Sequence, residues 1–173
     1  MNRINLIVVA LTMTLSSTAF AANLQDYLQH PEAVFNKAQW IEAGAGANGA
    51  ALLAVAQDTQ AHRYLRMRAA SALGFFPEQQ AGLAQLAQDD RQDLEVRLQA
   101  LNAYTLLAKK KSLPLLERLS ESTQVQLRAA AGRNLLRVPG PEAVTLTRQL
   151  IARESVGGTR RALERGLARR LRR

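Results

Sequence analysis

The chain has 173 residues, no cysteine and a formal net charge of +9 at pH 7, and its length suggests a single domain. The absence of thiols excludes disulfides, and with His30 and His62 as the only histidines the ligands for a zinc site are nearly lacking. Alanine, leucine, glutamine and arginine dominate the composition, and these residues favour helices. We therefore expect an all-α fold without a metal or a cofactor.

The first residues have the pattern of an export signal. A single arginine precedes the apolar run INLIVVALTMTL at residues 4–15, and the small-residue segment STAFAA follows it. This pattern predicts a cleavable signal peptide over residues 1–21, cut after Ala21 or Ala22, and a mature domain over residues 22–173. The run is short for a membrane span, so a permanent anchor is the less favoured alternative. Export without cysteine favours a periplasmic protein, with secretion as an alternative.

The next feature along the chain is an internal repeat. The segments LRMRAASAL (65–73), VRLQALNAY (96–104) and LRAAAGRNL (127–135) align at a step of 31 residues, with arginine in the second place and alanine in the fifth. These residues are Arg66, Arg97 and Arg128, and Ala69, Ala100 and Ala131. One step back, Phe35 replaces the arginine and Ala38 keeps the small residue. The small residues predict close approach of neighbouring helices.

A second helical pattern follows each of these first helices. Apolar residues recur at three- and four-residue steps in segments 49–58, 80–89, 112–122 and 141–154. The unit is therefore a helix, a turn and a helix, with a period of about 31 residues. Since one such pair cannot bury both apolar stripes, stacking of units is expected. We predict three full units over 62–154, a degenerate pair ahead of them and one helix behind.

The pattern VRxxAAxALG, fitted at nearly every place by residues 65–74, resembles the compact HEAT-like repeat, which also occurs in phycobilisome-lyase-type repeat proteins. The resemblance covers residues 31 to 172 and implies a short right-handed α-solenoid with a mainly structural repeat arginine. The family usually carries an aspartate shortly before this arginine. Asp93 is so placed, whereas His62 and Gln124 occupy the matching sites elsewhere. The tetratricopeptide repeat is the rival by length, but its Trp, Gly, Tyr and Pro pattern is absent.

The repeat arginine stands one turn before the small residues. Its guanidinium group can donate hydrogen bonds to carbonyls at a helix end or to an acid of a neighbouring unit. Asp58 and Asp89 lie eight residues before Arg66 and Arg97 and are the candidate acids, while Ser120 takes that place before Arg128. We therefore expect an incomplete ladder of ion pairs.

The chain ends in GTRRALERGLARRLRR (158–173), which has seven arginines and one glutamate. Leu163, Leu167 and Leu171 share one face of the predicted helix. One interpretation is a polar capping helix. The alternative is a contact with an anionic surface, namely membrane phosphate, an acidic protein or nucleic acid, although three leucines without an aromatic residue are a thin face for a membrane. The candidate binding residues are Arg160, Arg161, Arg165, Arg169, Arg170, Arg172 and Arg173.

The remaining candidates have simple structural interpretations. Trp40 is expected to fill the open end of the core, and Phe75 and Phe76 to pack into an inter-helix turn. The lysines in AKKKS (108–112) indicate a solvated turn, and the aspartates at 89–93 indicate helix caps. We expect no enzyme, but a protein-binding module that uses the concave face formed by the second helices. Nucleic acid is an unlikely partner for an exported chain.

Overall fold

A computed structural model describes residues 23–30 and 35–172, and within these residues every regular element is helical, which confirms the predicted all-α class. The signal peptide predicted over residues 1–21 lies outside the described residues. The helices are α1 (23–29), α2 (Lys37–Trp40), α3 (Ala50–Gln57), α4 (Arg63–Ala72), α5 (Gln80–Gln88), α6 (Leu94–Ala108), α7 (Leu113–Leu119), α8 (Val125–Leu135), α9 (Pro141–Arg153) and α10 (Gly157–Leu171).

The N-terminal end of the core is aromatic. Asn36 precedes α2 and forms a capping box with Gln39. The Asn36 side chain accepts a hydrogen bond from the Gln39 backbone N–H, and the Gln39 side chain accepts one from the Asn36 backbone N–H. Trp40 is buried, and its ring packs against Phe35 at a centroid distance of 5.1 Å, while Phe35 lies 4.6 Å from Tyr27. Trp40 is therefore part of the core, as predicted.

The first helices α4, α6, α8 and α10 lie side by side in the same direction. Gly74 packs against Ala103, the Asn134 side-chain amide donates to Asn102 Oδ1 at 2.8 Å, and Leu163 packs on Gly132. Each contact joins residues about 30 apart, so the carboxyl ends of these helices share one edge of the molecule. We call this the carboxyl edge. The opposite edge, formed by residues 58–62, 89–93, 120–124 and 154–156, is the turn edge.

The tightest helix hairpins are formed between two successive predicted units and not within one unit. The second helices make their closest backbone contacts with the following first helix, α3 with α4, α5 with α6 and α7 with α8. Each of these pairs is joined by a short turn at the turn edge. Inside the unit, 3₁₀ turns at Leu73–Phe75, Pro77–Gln79 and Lys109–Ser112 lengthen the connection and separate the two helices.

The small residues of the repeat lie inside the helix contacts. Ala69, Ala100 and Ala131 are fully buried, whereas Ala38 of the degenerate first unit is exposed. Ala38 therefore does not take the place that its spacing suggested, since it lies on the exposed side of α2, which continues after Trp40 as a π-helical segment over Ile41–Ala45. Close packing by small residues thus joins α4, α6 and α8, and it continues to α10 through Gly132.

Gly132 offers a direct test of this packing. A Cβ atom on Gly132 would lie 2.5 Å from Leu163 Cδ2 and 2.9 Å from Leu150 Cδ2. We expect Gly132→Val to lower the free energy of unfolding by about 1–3 kcal/mol, measured by urea denaturation. Gly158 in the first turn of α10 has no atom within 4 Å of its Cβ position, so Gly158→Val should change stability by less than about 0.5 kcal/mol. Equal losses would show that α8, α9 and α10 are not in close contact.

Candidate functional site

The repeat arginines connect neighbouring units through the turn edge. Arg66 is buried in α4, and its Nη1 donates to Asp93 Oδ2 at 2.7 Å. Its Nη2 donates to the side-chain oxygen of Gln92. Asp93 is the residue that begins α6, so the arginine of one unit holds the first turn of the next.

Arg128 repeats this arrangement with a different acid. Its Nε and Nη2 donate to the two carboxylate oxygens of Glu154, each at 3.0 Å, and its Nη1 donates to the carbonyls of Ser122 and Thr123. Glu154 is 2% exposed, and its Oε1 also accepts from the Val156 backbone N–H at 2.9 Å. The hydrogen bonds from Arg128 lower the pKa of Glu154 below its ordinary value.

The two acids predicted as partners of the repeat arginines, Asp58 and Asp89, are the wrong ones. Asp58 accepts from the Gln60 backbone N–H, and Asp89 accepts from Arg91 at 2.8 Å. Arg66 and Arg128 bond acids of the following unit, because the next first helix lies beside them, and Arg128 also donates to carbonyls of the turn before it. For Arg97 the following turn offers Thr123 and Gln124 in place of an acid, and its Nε donates to the Ala87 carbonyl at 3.3 Å. The ladder is thus incomplete, as expected, but it is displaced by one unit.

A polar groove of 460 Å³ lies at the turn edge between the ends of α3 and α5. Its lining is rich in side-chain amides, and it includes Gln57, Gln85, Leu86, Gln88, Asp89, Arg91 and Gln92. Gln88 donates to the Ala84 carbonyl in its own helix, and Gln92 bonds Asp89. Gln57 and Gln85 are exposed, and no hydrogen bond is found for their side chains within the described chain. We call this feature the glutamine groove.

A second cavity has a mainly apolar wall. It measures 670 Å³ and lies between α1, α3 and the start of α4, where Leu24, Leu28 and Val55 line it. Two of its polar lining residues are engaged in local turns, since Asp58 accepts from Gln60 and His62 Nδ1 accepts from the Tyr64 backbone N–H at 3.2 Å. Both groups therefore cap local turns of the chain.

The arginine-rich helix α10 combines a cap with an exposed basic face. Leu163 and Leu167 are buried, whereas Leu171 is exposed. Arg170 is half-buried, and it donates to the Leu135 carbonyl at 2.7 Å and to the Gly140 carbonyl at 2.9 Å, which closes the end of α8. Of the other candidate binding residues, Arg160, Arg161, Arg165, Arg169 and Arg172 are exposed, and Arg173 lies outside the described residues.

The lysine run belongs to the same edge as the end of α10. Lys109, Lys110 and Lys111 are exposed in the 3₁₀ turn after α6. The Lys110 Cε atom lies 3.4 Å from the Cβ position of Gly140, the residue whose carbonyl accepts from Arg170. The sequence predicted a solvated turn for these lysines, and all three are exposed. Two repeat steps of 31 place Lys110 opposite Arg172, so the period itself contained the signal for this juxtaposition.

Two general features complete the description of residues 23–30 and 35–172. None of the helices there is both long and apolar enough to span a bilayer, and no group of three His, Asp or Glu side chains is arranged to hold a metal ion. No protein-family model, no curated protein and no solved structure matches this chain.

Proposed function

We propose that the chain is a short right-handed α-solenoid of compact HEAT-like repeats that works as a protein-binding module. Three full units cover residues 62–154, a degenerate unit precedes them and α10 caps the last one. The support for this arrangement is the recurrence of contacts at about one repeat length. Besides the buried arginine bonds, Arg63 pairs with Glu95 at 3.9 Å and Arg153 pairs with Glu121 at 2.7 Å, each across a step of 32 residues.

The glutamine groove is the observation that carries the binding proposal. Its exposed amides come from α3 and α5, which are second helices of two successive units. A primary amide presents both a donor and an acceptor, so Gln57 and Gln85 can pair with the N–H and C=O groups of a peptide main chain. We infer that the partner presents an extended polypeptide segment to this groove, and that the exposed residues of α7 and α9 continue the surface.

The predicted leader and the lack of cysteine support a location in the envelope. We propose that residues 1–21 are removed on export and that the mature chain acts in the periplasm. Under this proposal the partner is another exported protein or the exported part of a membrane protein. Mass spectrometry of the protein recovered from the periplasmic fraction should give a chain that begins at residue 22 or 23.

Site-specific photocrosslinking tests the groove in the compartment where the protein acts. A photoreactive amino acid replaces Gln85 in the groove, and in a matched protein it replaces Gln126, an exposed glutamine on the first helix α8. We expect a discrete protein adduct at position 85 and none at position 126. The adduct should survive raised salt and should weaken on Gln57→Ala, because that change removes the facing amide. Adducts at position 126 alone, or at neither position, would contradict this assignment.

A further inference from the structure

The carboxyl edge concentrates exposed cations from three helices. Lys109, Lys110 and Lys111 follow α6, Arg137 follows α8, and Arg169 and Arg172 lie at the end of α10. Lys110 and Arg170 both reach Gly140, so these segments meet although they are about 60 residues apart. Among the acids of this edge, Glu78 pairs with Lys37 at 3.4 Å, and Glu142 lies exposed in the first turn of α9.

The same edge carries exposed apolar side chains. Of the five large hydrophobic residues that are exposed in the described chain, three lie at the carboxyl ends of first helices: Phe75 is 44% exposed, Leu106 is 61% exposed and Leu171 is 56% exposed. Leu106 precedes Lys110 by one helical turn, and Leu171 stands between Arg170 and Arg172. Exposed apolar side chains therefore lie beside the cations at the ends of α6 and α10, and Phe75 adds an apolar side chain at the end of α4.

The cations alone have a sufficient local explanation, but the apolar side chains do not. Lysine and arginine near a helix carboxyl end interact favourably with the helix dipole, whatever lies outside. Exposed leucine and phenylalanine gain nothing from that field. Cations next to exposed apolar side chains are the combination that binds the boundary between headgroups and acyl chains. An acidic protein or a nucleic acid would be held by the charges without need of the leucines.

We propose that the carboxyl edge docks the protein on a membrane surface rich in anionic phospholipid. Lys109–Lys111, Arg137, Arg169 and Arg172 contact headgroup phosphates, and Phe75, Leu106 and Leu171 enter the boundary below them. The turn edge faces away from the membrane, because it carries the acids Asp58, Asp89, Asp90, Asp93 and Glu121, and the arginines that pair with three of them leave it no comparable excess of positive charge. This surface differs from the glutamine groove, so membrane docking and protein binding can fail independently.

Vesicle cosedimentation of the mature protein, its N-terminus verified by mass spectrometry, tests the charges. The edge variant carries Lys110→Gln, Lys111→Gln, Arg137→Gln and Arg172→Gln. The matched control carries Arg118→Gln, Arg148→Gln, Arg160→Gln and Arg161→Gln, which removes the same charge from exposed positions elsewhere. We expect the edge variant to bind vesicles of phosphatidylcholine and phosphatidylglycerol about tenfold or more weakly, and the control to lose less than about threefold. Equal losses would overturn the proposal.

The apolar side chains decide between a membrane and another polyanion. In a second variant Leu106→Ser and Leu171→Ser remove the two most exposed leucines, and Ile41→Ser with Val156→Ser forms its control. We expect only the leucine variant to lose vesicle binding, with thermal unfolding monitored for each protein. Unchanged binding of the leucine variant, or equal binding of the wild type to pure phosphatidylcholine, would overturn the membrane assignment. Displacement by duplex DNA or polyglutamate without loss in the leucine variant would point to an acidic macromolecule instead.

Discussion

Replacing Arg128 with methionine should lower the free energy of unfolding by about 3–5 kcal/mol, the largest loss expected from a single charged residue here. Its partner Glu154 is 2% exposed and receives two hydrogen bonds from the guanidinium. Without Arg128 the carboxylate is left in the interior with hydrogen bonds from backbone N–H groups alone. Urea denaturation followed by circular dichroism gives the loss directly.

Arg153 is the matched control for this experiment. It pairs with Glu121 at 2.7 Å, but the side chains of the pair are 50% and 57% exposed. Arg153→Met should therefore cost less than about 1 kcal/mol, because solvent screens the pair and hydrates the remaining acid. Combining Arg128→Met with Glu154→Met should recover much of the loss, since no buried charge then remains. If Arg128→Met and Arg153→Met cost the same, Glu154 is not buried as described.

Phe76→Ala should cost about 3–5 kcal/mol, as truncation of a fully buried aromatic ring does. Phe76 has no exposed surface, and its ring lies against Gly49, the residue with φ of 75° that begins α3. The Lys37 Nζ atom also lies 5.2 Å from the ring centroid. The ring therefore links the connection after α4 to the start of α3, and its removal leaves a cavity between them.

The neighbouring phenylalanine provides the control. Phe75 is 44% exposed, so Phe75→Ala should change stability by less than about 1 kcal/mol. Thermal and urea unfolding of the two variants should separate clearly in midpoint at similar cooperativity. A larger loss for Phe75→Ala than for Phe76→Ala would mean that the two rings are placed the other way round. The sequence placed both rings in the turn, and only the buried one packs there.

The second helices were predictable because two sequence signals agree, namely the spacing of the apolar residues and the residues that mark the helix boundaries. Segments 49–58 and 80–89 were expected to be helical, and the helices cover Ala50–Gln57 and Gln80–Gln88. Glycine before the first and proline before the second mark the starts. The segment 112–122 is helical only over Leu113–Leu119, because the lysine turn precedes it and Ser120 closes it with a side-chain bond to the Glu117 carbonyl.

The partners of the repeat arginines could not be predicted in the same way. Spacing within one helix shows which residues share a face, but it does not show whether that face meets the preceding or the following unit. That choice depends on how α4 packs on α6, and the packing turns Arg66 toward Asp93. The stripe of leucines on α10 was likewise predicted as one face, yet Leu163 and Leu167 are buried and Leu171 is exposed.

The shared direction of the first helices also sets a distance. A helix of 15 residues such as α6 is about 22 Å long at 1.5 Å per residue, and this length separates the carboxyl edge from the glutamine groove. A peptide seated in the groove would be held one helix length away from whatever the opposite edge touches. The protein would then act as a spacer of fixed height, able to engage both ligands at once without steric competition between them.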